Sequence, residues 1–321
     1  MVENYGLPYT GSKSRIAHWV IDNLPCGRVL IDAFAGGCAI THRALLSQKW
    51  QTIIANDINC KYTQLFLDAI HGRYRDEKRW ISREDFERLK SKDAFVACCW
   101  SFSNNLRDYT YSKAIEPYKR ALHYAIVFND FEPMQELMPE VAQAVHDALQ
   151  GQNNLHDRRI TAQNVIVKTL KRLTGDNYAH QSIQSNPLYR SIRHSNNDAH
   201  RLQSLESLER LQSLERLEAL EHLRVTSLSY DEIDIPDDAV VYCDPPYHAC
   251  RGHLYEGTAD AFDHCTFYDW CVRVSKTNPI FISEYSIEDD RFEVVAEKQK
   301  MTCLSSVKSF NVTERIYTVK K

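Results

Sequence analysis

Apolar residues recur at Ile16, Trp19, Val20 and Leu24, the spacing of one helix face, and the run stops before Pro25. Arg28–Asp32 (RVLID) then reads as a short buried strand. It runs into Ala33-Phe34-Ala35-Gly36-Gly37 and a second helical stretch to about Ser47. A further apolar strand over Thr52–Ala55 ends in Asn56-Asp57. This alternation predicts an α/β fold with a doubly wound parallel sheet. Residues 60–130 carry mainly helical patterning, whereas residues 151–197 are rich in Asn, Gln, Ser, Arg and His and read as an inserted, surface-rich subdomain. Strands over Ala239–Cys243, Pro279–Ser283 and Ile316–Val319, with a helix around Phe267–Val274, would resume the sheet.

Between Leu202 and Leu223 leucine stands at every third position: 202, 205, 208, 211, 214, 217, 220 and 223. Three helical residues turn through about 300°, so successive leucines drift by about 60° and cannot form one buried stripe. A helix buried on several sides, a 3₁₀-like stretch and a short ladder all fit. A coiled coil, which needs 3.5-residue spacing, does not. The expectation is a leucine-repeat linker over 202–223 that tolerates deletion of one repeat unit.

The 321 residues are 43% hydrophobic and 26% charged, which excludes a disordered chain and a small disulfide-stapled scaffold. No window approaches the roughly 18 consecutive apolar residues of a membrane span, and the first residues lack the layout of a secretory signal. Ten cysteines without C-x-x-C spacing read as reduced thiols, and a cytoplasmic chain is expected. The net charge of −4 conceals an uneven distribution. Residues 151–200 hold seven basic side chains against three aspartates. Arg158, Arg159, Lys168, Lys171 and Arg172 are therefore candidate phosphate contacts.

The most specific chemical signal is Asp244-Pro245-Pro246-Tyr247, directly after an apolar strand. Two prolines stiffen the turn and remove its N–H donors, leaving carbonyl acceptors. A carboxylate beside a carbonyl can accept both hydrogens of an exocyclic amine, and Tyr247 offers a face for a planar base. The second signal is the strand–glycine–helix turn from Asp32 to Gly37, with Asp57 ending the next strand where an acid can bind ribose hydroxyls. Together they read as a site for a nucleoside-bearing cofactor.

These elements resemble the Dam-type DNA adenine-N6 methyltransferases, in the α arrangement of motifs. The resemblance rests on Tyr9-Thr10-Gly11-Ser12-Lys13, on D-x-F-x-G at Asp32–Gly36, on Asn56-Asp57-Ile58-Asn59 and on DPPY at 244–247. Downstream, Tyr255, Phe262-Asp263-His264, Phe267-Tyr268-Asp269-Trp270 and the strand Glu314-Arg315-Ile316-Tyr317 continue it. It covers most of the chain outside residues 130–225.

The resemblance implies a Rossmann-like methyltransferase sheet with a helical target-recognition insert, and methyl transfer from S-adenosylmethionine to N6 of adenine in double-stranded DNA. Residue by residue, it implies that Tyr9 and Lys13 contact the cofactor, with Lys13 near its carboxylate. Asp32, Phe34 and Gly36 would line the methionine and ribose pocket, and Asp57 would hold the ribose. Asp244 and Pro245 would bind the adenine amine, with Pro246 completing the turn and Tyr247 stacking on the flipped base. Gly36-Gly37-Cys38 departs from the G-x-G that many members keep. Residues 100–225 match poorly, so a GATC target is not carried over.

The expected division is 1–100 with 224–321 as the catalytic domain, 101–201 as the target-recognition insert and 202–223 as the linker. His248, Cys250 and His253 lack a second ligand pair, and no metal is assigned to them. The segment from Trp100 to Tyr111 suits either a DNA contact or a loop closing a helix end. Alternatives of the same fold are a methylase of single-stranded DNA or RNA adenine and, less suited to an Asp at 244, a cytosine-N4 methylase. A non-catalytic DNA-binding protein is the alternative from a different class.

Overall fold

A computed structural model describes residues 4–175, 202–216, 220–247, 262–302 and 310–321. The chain forms two compact units, residues 1–73 with 214–321, and residues 74–213.

The first unit is built on a seven-stranded sheet. Its elements are α1 (Ala17–Asn23), β1 (Gly27–Asp32), α2 (Ala39–Ser47), β2 (Trp50–Asn56), α3 (Cys60–Ile70), β3 (Leu223–Thr226) and β4 (Val240–Cys243). The helix His264–Val274, numbered α11 below, β5 (Ile280–Glu284), β6 (Phe292–Thr302) and β7 (Phe310–Val319) follow. The spatial order is β3-β2-β1-β4-β5-β7-β6. The first five strands run parallel, and β7 enters antiparallel to both neighbours. This is the expected Rossmann-like, doubly wound sheet. The central strands are apolar because both faces are covered. Val29 and Ile31 of β1 join Val241, Cys243, Ile280, Ile282 and, from α11, Phe267, Trp270 and Cys271 in one core cluster. Side chains alternate along a strand, so Leu30 and Asp32 point to the other face. There the Asp32 carboxylate meets Thr41 of α2.

Two strands escape the sequence reading. Leu223, expected to end the linker, begins β3, which pairs with β2 through Leu223 and Ile53. The edge strand β6 mixes exposed Val294 and Val295 with Glu293, Glu297 and Lys298, a pattern without the apolar continuity of the buried strands. Glutamates and a lysine on an exposed edge also discourage pairing with other chains.

The second unit is helical: α4 (Arg83–Leu89), α5 (Ala94–Trp100), α6 (Glu116–Phe128), α7 (Glu132–Leu137), α8 (Pro139–Leu149), α9 (Leu155–Gly175) and α10 (Gln203–Ser213). Its boundaries differ from those expected at residues 100 and 224. Helices α4 and α5 pack on each other, and α5 packs on α10, so residues 74–100 bury their apolar surface within this unit.

The first part of the leucine repeat is therefore a packed helix. Leu202, Leu205, Leu208 and Leu211 are buried, and so are Ser204 and Ser207 between them. Of the open alternatives, a helix surrounded on several sides describes α10, and 3₁₀ turns at Leu214–Arg216 and Leu220–His222 follow it. The small serines let neighbouring elements approach: Ser207 Oγ accepts from Asn104 at 2.9 Å and Ser204 Oγ pairs with the Tyr111 hydroxyl at 2.8 Å.

Two candidate phosphate contacts are otherwise engaged. Arg158 donates to the backbone oxygens of Ile126, Ala125 and Gln152, closing the carbonyl end of α6. Arg159 is buried and held by Glu206 and Glu209. Lys168 and Arg172 on α9 are exposed. Between Trp100 and Tyr111, Asn104 donates to Cys98 O and Tyr109 donates to Ile81 O, while Arg107 pairs with Asp108. The Asn104 contact, with the Thr110 N–H on Trp100 O at 2.9 Å, closes the end of α5, as the helix-end alternative expects. Among the described residues no helix is long and apolar enough to cross a membrane.

Candidate active site

All ten candidate catalytic and cofactor residues lie in the first unit, most of them at the carboxyl ends of β1, β2 and β4. In an open α/β sheet that is where the chain order switches direction and where ligands bind. Register brings the strand ends together: Asp32 pairs with Ala55 on one side and Tyr242 on the other.

The glycine turn after β1 is held from three directions. Asp32 Oδ2 accepts the Thr41 backbone N–H at 3.1 Å and its hydroxyl at 2.7 Å, locking the first turn of α2. Asp57 Oδ2 accepts the Gly36 N–H at 2.8 Å, and its Oδ1 accepts that of Asn59 at 2.8 Å. From the N-terminal side, Leu7 N–H donates to Gly37 O at 2.7 Å. A Cβ on Gly37 would lie 2.7 Å from Tyr9 Cβ, so glycine is required for Tyr9 to pack there. Gly36 has φ +46°, and a Cβ there would meet Tyr9 Cε1 at 3.8 Å. Cys38 has φ 56°, a conformation that favours glycine, which accounts for the G-x-G preference from which this chain departs.

Burial pushes the Asp32 carboxyl up to about 7, reinforced by the charges of Asp244 and Asp57 and opposed by the Thr41 hydrogen bonds. Its Oδ1 is buried and has no hydrogen-bond partner among the described residues. Burial also raises Asp57, against the two amides it accepts. Phe34 packs among Tyr230, Phe262 and Phe267, with ring centres 5.6–5.9 Å away.

The DPPY turn leaves β4 with Pro245 buried and Asp244 and Pro246 half-buried. Lys13, 7% exposed, places Nζ 2.6 Å from Asp244 Oδ1 and 3.5 Å from Glu314 Oε1. The lysine implied to lie near the cofactor carboxylate thus contacts the DPPY motif. Its ammonium also lies 4.5 Å from the centre of the Tyr247 ring. The Tyr247 hydroxyl donates to Glu314, and its ring meets Tyr285 edge to face at 4.6 Å. Burial raises the Tyr247 phenol well above its ordinary range, and the charges of Asp244 and Glu314 add to this, so it remains a donor.

Two contributors were not singled out in the sequence. Asn56 donates to Ala33 O and Leu228 O and accepts from Leu228 N, tying the end of β1 to the loop after β3. Glu314 is the second: within a strand the sequence predicts, an acid on the same face as Val312 and Ile316 marks a buried charge. His248, Cys250, His253 and Tyr255 lie outside the described residues.

No curated protein matches the chain. Among solved structures it is similar to the rRNA methyltransferase aviRa from Streptomyces viridochromogenes, at 12% identity and TM-score 0.32, over 98% of this chain and 89% of that one. Residues 9–136 match the family model described as D12 class N6 adenine-specific DNA methyltransferase, a span that holds Tyr9, Lys13, Asp32, Phe34, Gly36 and Asp57. Over that span, 128 of the 321 residues, the chain is similar to the D12 class of N6 adenine-specific DNA methyltransferases.

Proposed function

We propose that this enzyme uses S-adenosylmethionine to methylate N6 of an adenine flipped out of double-stranded DNA. The observation that carries the reading is the convergence of the Asp244–Tyr247 turn after β4 with the glycine turn after β1 and the acid after β2. The donor set suits the cofactor. Asp57 offers a carboxylate for ribose hydroxyls, and Asp32 Oδ1 is an acceptor that an ammonium would satisfy. When bound, S-adenosylmethionine supplies an electrophilic methyl group on a sulfonium.

The chain's own groups then orient the nucleophile. N6 of adenine is a poor one because its lone pair is delocalised into the ring. Hydrogen bonds from the amine to the Asp244 carboxylate and the Pro245 carbonyl favour the pyramidal nitrogen that attacks in line. Lys13 offsets the charge of Asp244 in a partly buried turn. Tyr247 supplies a face for the base, whose extraction from the stack costs a few kcal/mol. The second unit would carry target recognition, with exposed Lys168 and Arg172 on its longest helix. A DNA-modifying chain whose described cysteines are free thiols fits the cytoplasm.

The test is transfer of labelled methyl from S-adenosylmethionine to unmethylated duplex DNA, single-stranded DNA and RNA in parallel, with the modified base identified by mass spectrometry. N6-methyladenine formed fastest in the duplex is expected. Faster modification of either single-stranded substrate would overturn the duplex reading, and absence of transfer with this donor would overturn the cofactor.

A further inference from the structure

Asp244 and Tyr247 have roles in the proposed reaction, but the charged group buried beside them does not. Glu314 lies within β7, fully buried, with Val312 and Ile316 as its same-face neighbours. A carboxylate there is costly unless paired and hydrogen-bonded. Its Oε1 accepts the Tyr247 hydroxyl and lies 3.5 Å from the Lys13 ammonium, which in turn touches Asp244 Oδ1 at 2.6 Å. Four side chains from three distant parts of the chain thus form one connected group. Its only aromatic member is the ring expected to meet the substrate base.

A tyrosine anchored only at its backbone can swing about its side-chain torsions. Tyr247 is held at both ends, by the stiff proline turn at Cα and by Glu314 at the hydroxyl. A stacking surface fixed before the base arrives loses less freedom on binding. The shared lysine couples the orientation of that surface to the carboxylate that receives the amine.

We propose that Glu314 is a positioning residue for methyl transfer: through the Tyr247 hydroxyl it holds the ring in the orientation that receives the flipped adenine, and through Lys13 it is tied to Asp244. This rests on the reading given under Proposed function and extends the active site to a strand near the end of the chain.

The test compares Glu314→Gln, Glu314→Ala, Tyr247→Phe and the double variant Glu314→Ala/Tyr247→Phe with the parent. Single-turnover methylation of unmethylated duplex DNA is measured beside calorimetric titration of S-adenosylmethionine and thermal melting. Glutamine keeps a carbonyl acceptor, so Glu314→Gln should stay within about threefold of the parental rate, whereas Glu314→Ala and Tyr247→Phe should each be slower by about tenfold. Because both remove the same hydrogen bond, the double variant should be no more than about twofold slower than the worse single variant. Cofactor affinity should be unchanged throughout, which a merely structural defect would not leave intact.

Tyrosine labelled with ¹³C at the hydroxyl-bearing carbon gives a readout independent of turnover. The signal that disappears in Tyr247→Phe should shift in Glu314→Ala. A parental rate in Glu314→Ala, multiplying losses in the double variant, a glutamine variant as slow as the alanine one, or an unmoved signal would each overturn the proposal. A parent that transfers no methyl from this donor, with the signal still shifting, would instead overturn the functional reading and leave the hydrogen bond standing.

Discussion

Lys13 shows how a residue's neighbours redirect its role. The resemblance puts it beside the cofactor carboxylate, whereas its ammonium lies on Asp244. Removing it by Lys13→Met should therefore slow methyl transfer by roughly tenfold to a hundredfold, the worth of a hydrogen bond between charged groups, while S-adenosylmethionine affinity stays near parental. Asp244→Asn should show the same division, because its amide would set a donor against the amine of adenine. Calorimetry and single-turnover rates on the two variants check this, and a loss confined to cofactor affinity would return Lys13 to the cofactor. Asp32 gives a different test. Its carboxyl titrates near its ordinary value of 3.8 when unfolded and about 7 when folded, so between those values the folded chain keeps a proton that the unfolded chain releases. Its contribution to stability is greatest below about pH 4 and falls as pH rises to about 7. Asp32→Asn keeps an acceptor for Thr41 and should flatten that fall, as seen in melting temperatures measured from pH 4 to pH 8.

At the scale of elements, strong apolar periodicity was readable and weak periodicity was not. β1, β2, β4, β5 and α11 appear within a few residues of their expected bounds, because strands covered on both faces must be continuously apolar. β3 begins at the last leucine of the repeat, whose spacing cannot distinguish a linker from a helix buried on several sides. The burial of Leu202, Leu205, Leu208 and Leu211 favours an intolerant helix. Leu208→Ala should cost about 2–5 kcal/mol, measured by denaturant unfolding. Deleting residues 211–216 removes Leu211 and Leu214, both buried, and should prevent folding rather than leave activity intact. A deletion variant that melts like the parent would restore the linker.

Over the whole molecule, the excess of positive charge in residues 151–200 pointed to DNA, yet charge counting does not reveal which side chains are already paired. Arg158 and Arg159 serve carbonyls and glutamates within the second unit, so alanine there should lower stability. Lys168→Ala/Arg172→Ala should instead reduce the slope of log affinity against log salt by about one for each phosphate left without its cation, with melting unchanged. Equal slopes for the double variant and the parent would move the DNA-binding surface elsewhere. By itself, the sequence determined the alternating core of the sheet, the glycine turn, the acid after β2 and the DPPY turn, because each depends on neighbours a few residues apart. The tertiary structure decided the rest. The unit boundary at residue 73, the pairing of Lys13 with Asp244 and the place of Glu314 under Tyr247 join residues up to about three hundred positions apart. Such pairings are selected by burial and charge compensation in the folded chain, and neither leaves a local period in the sequence.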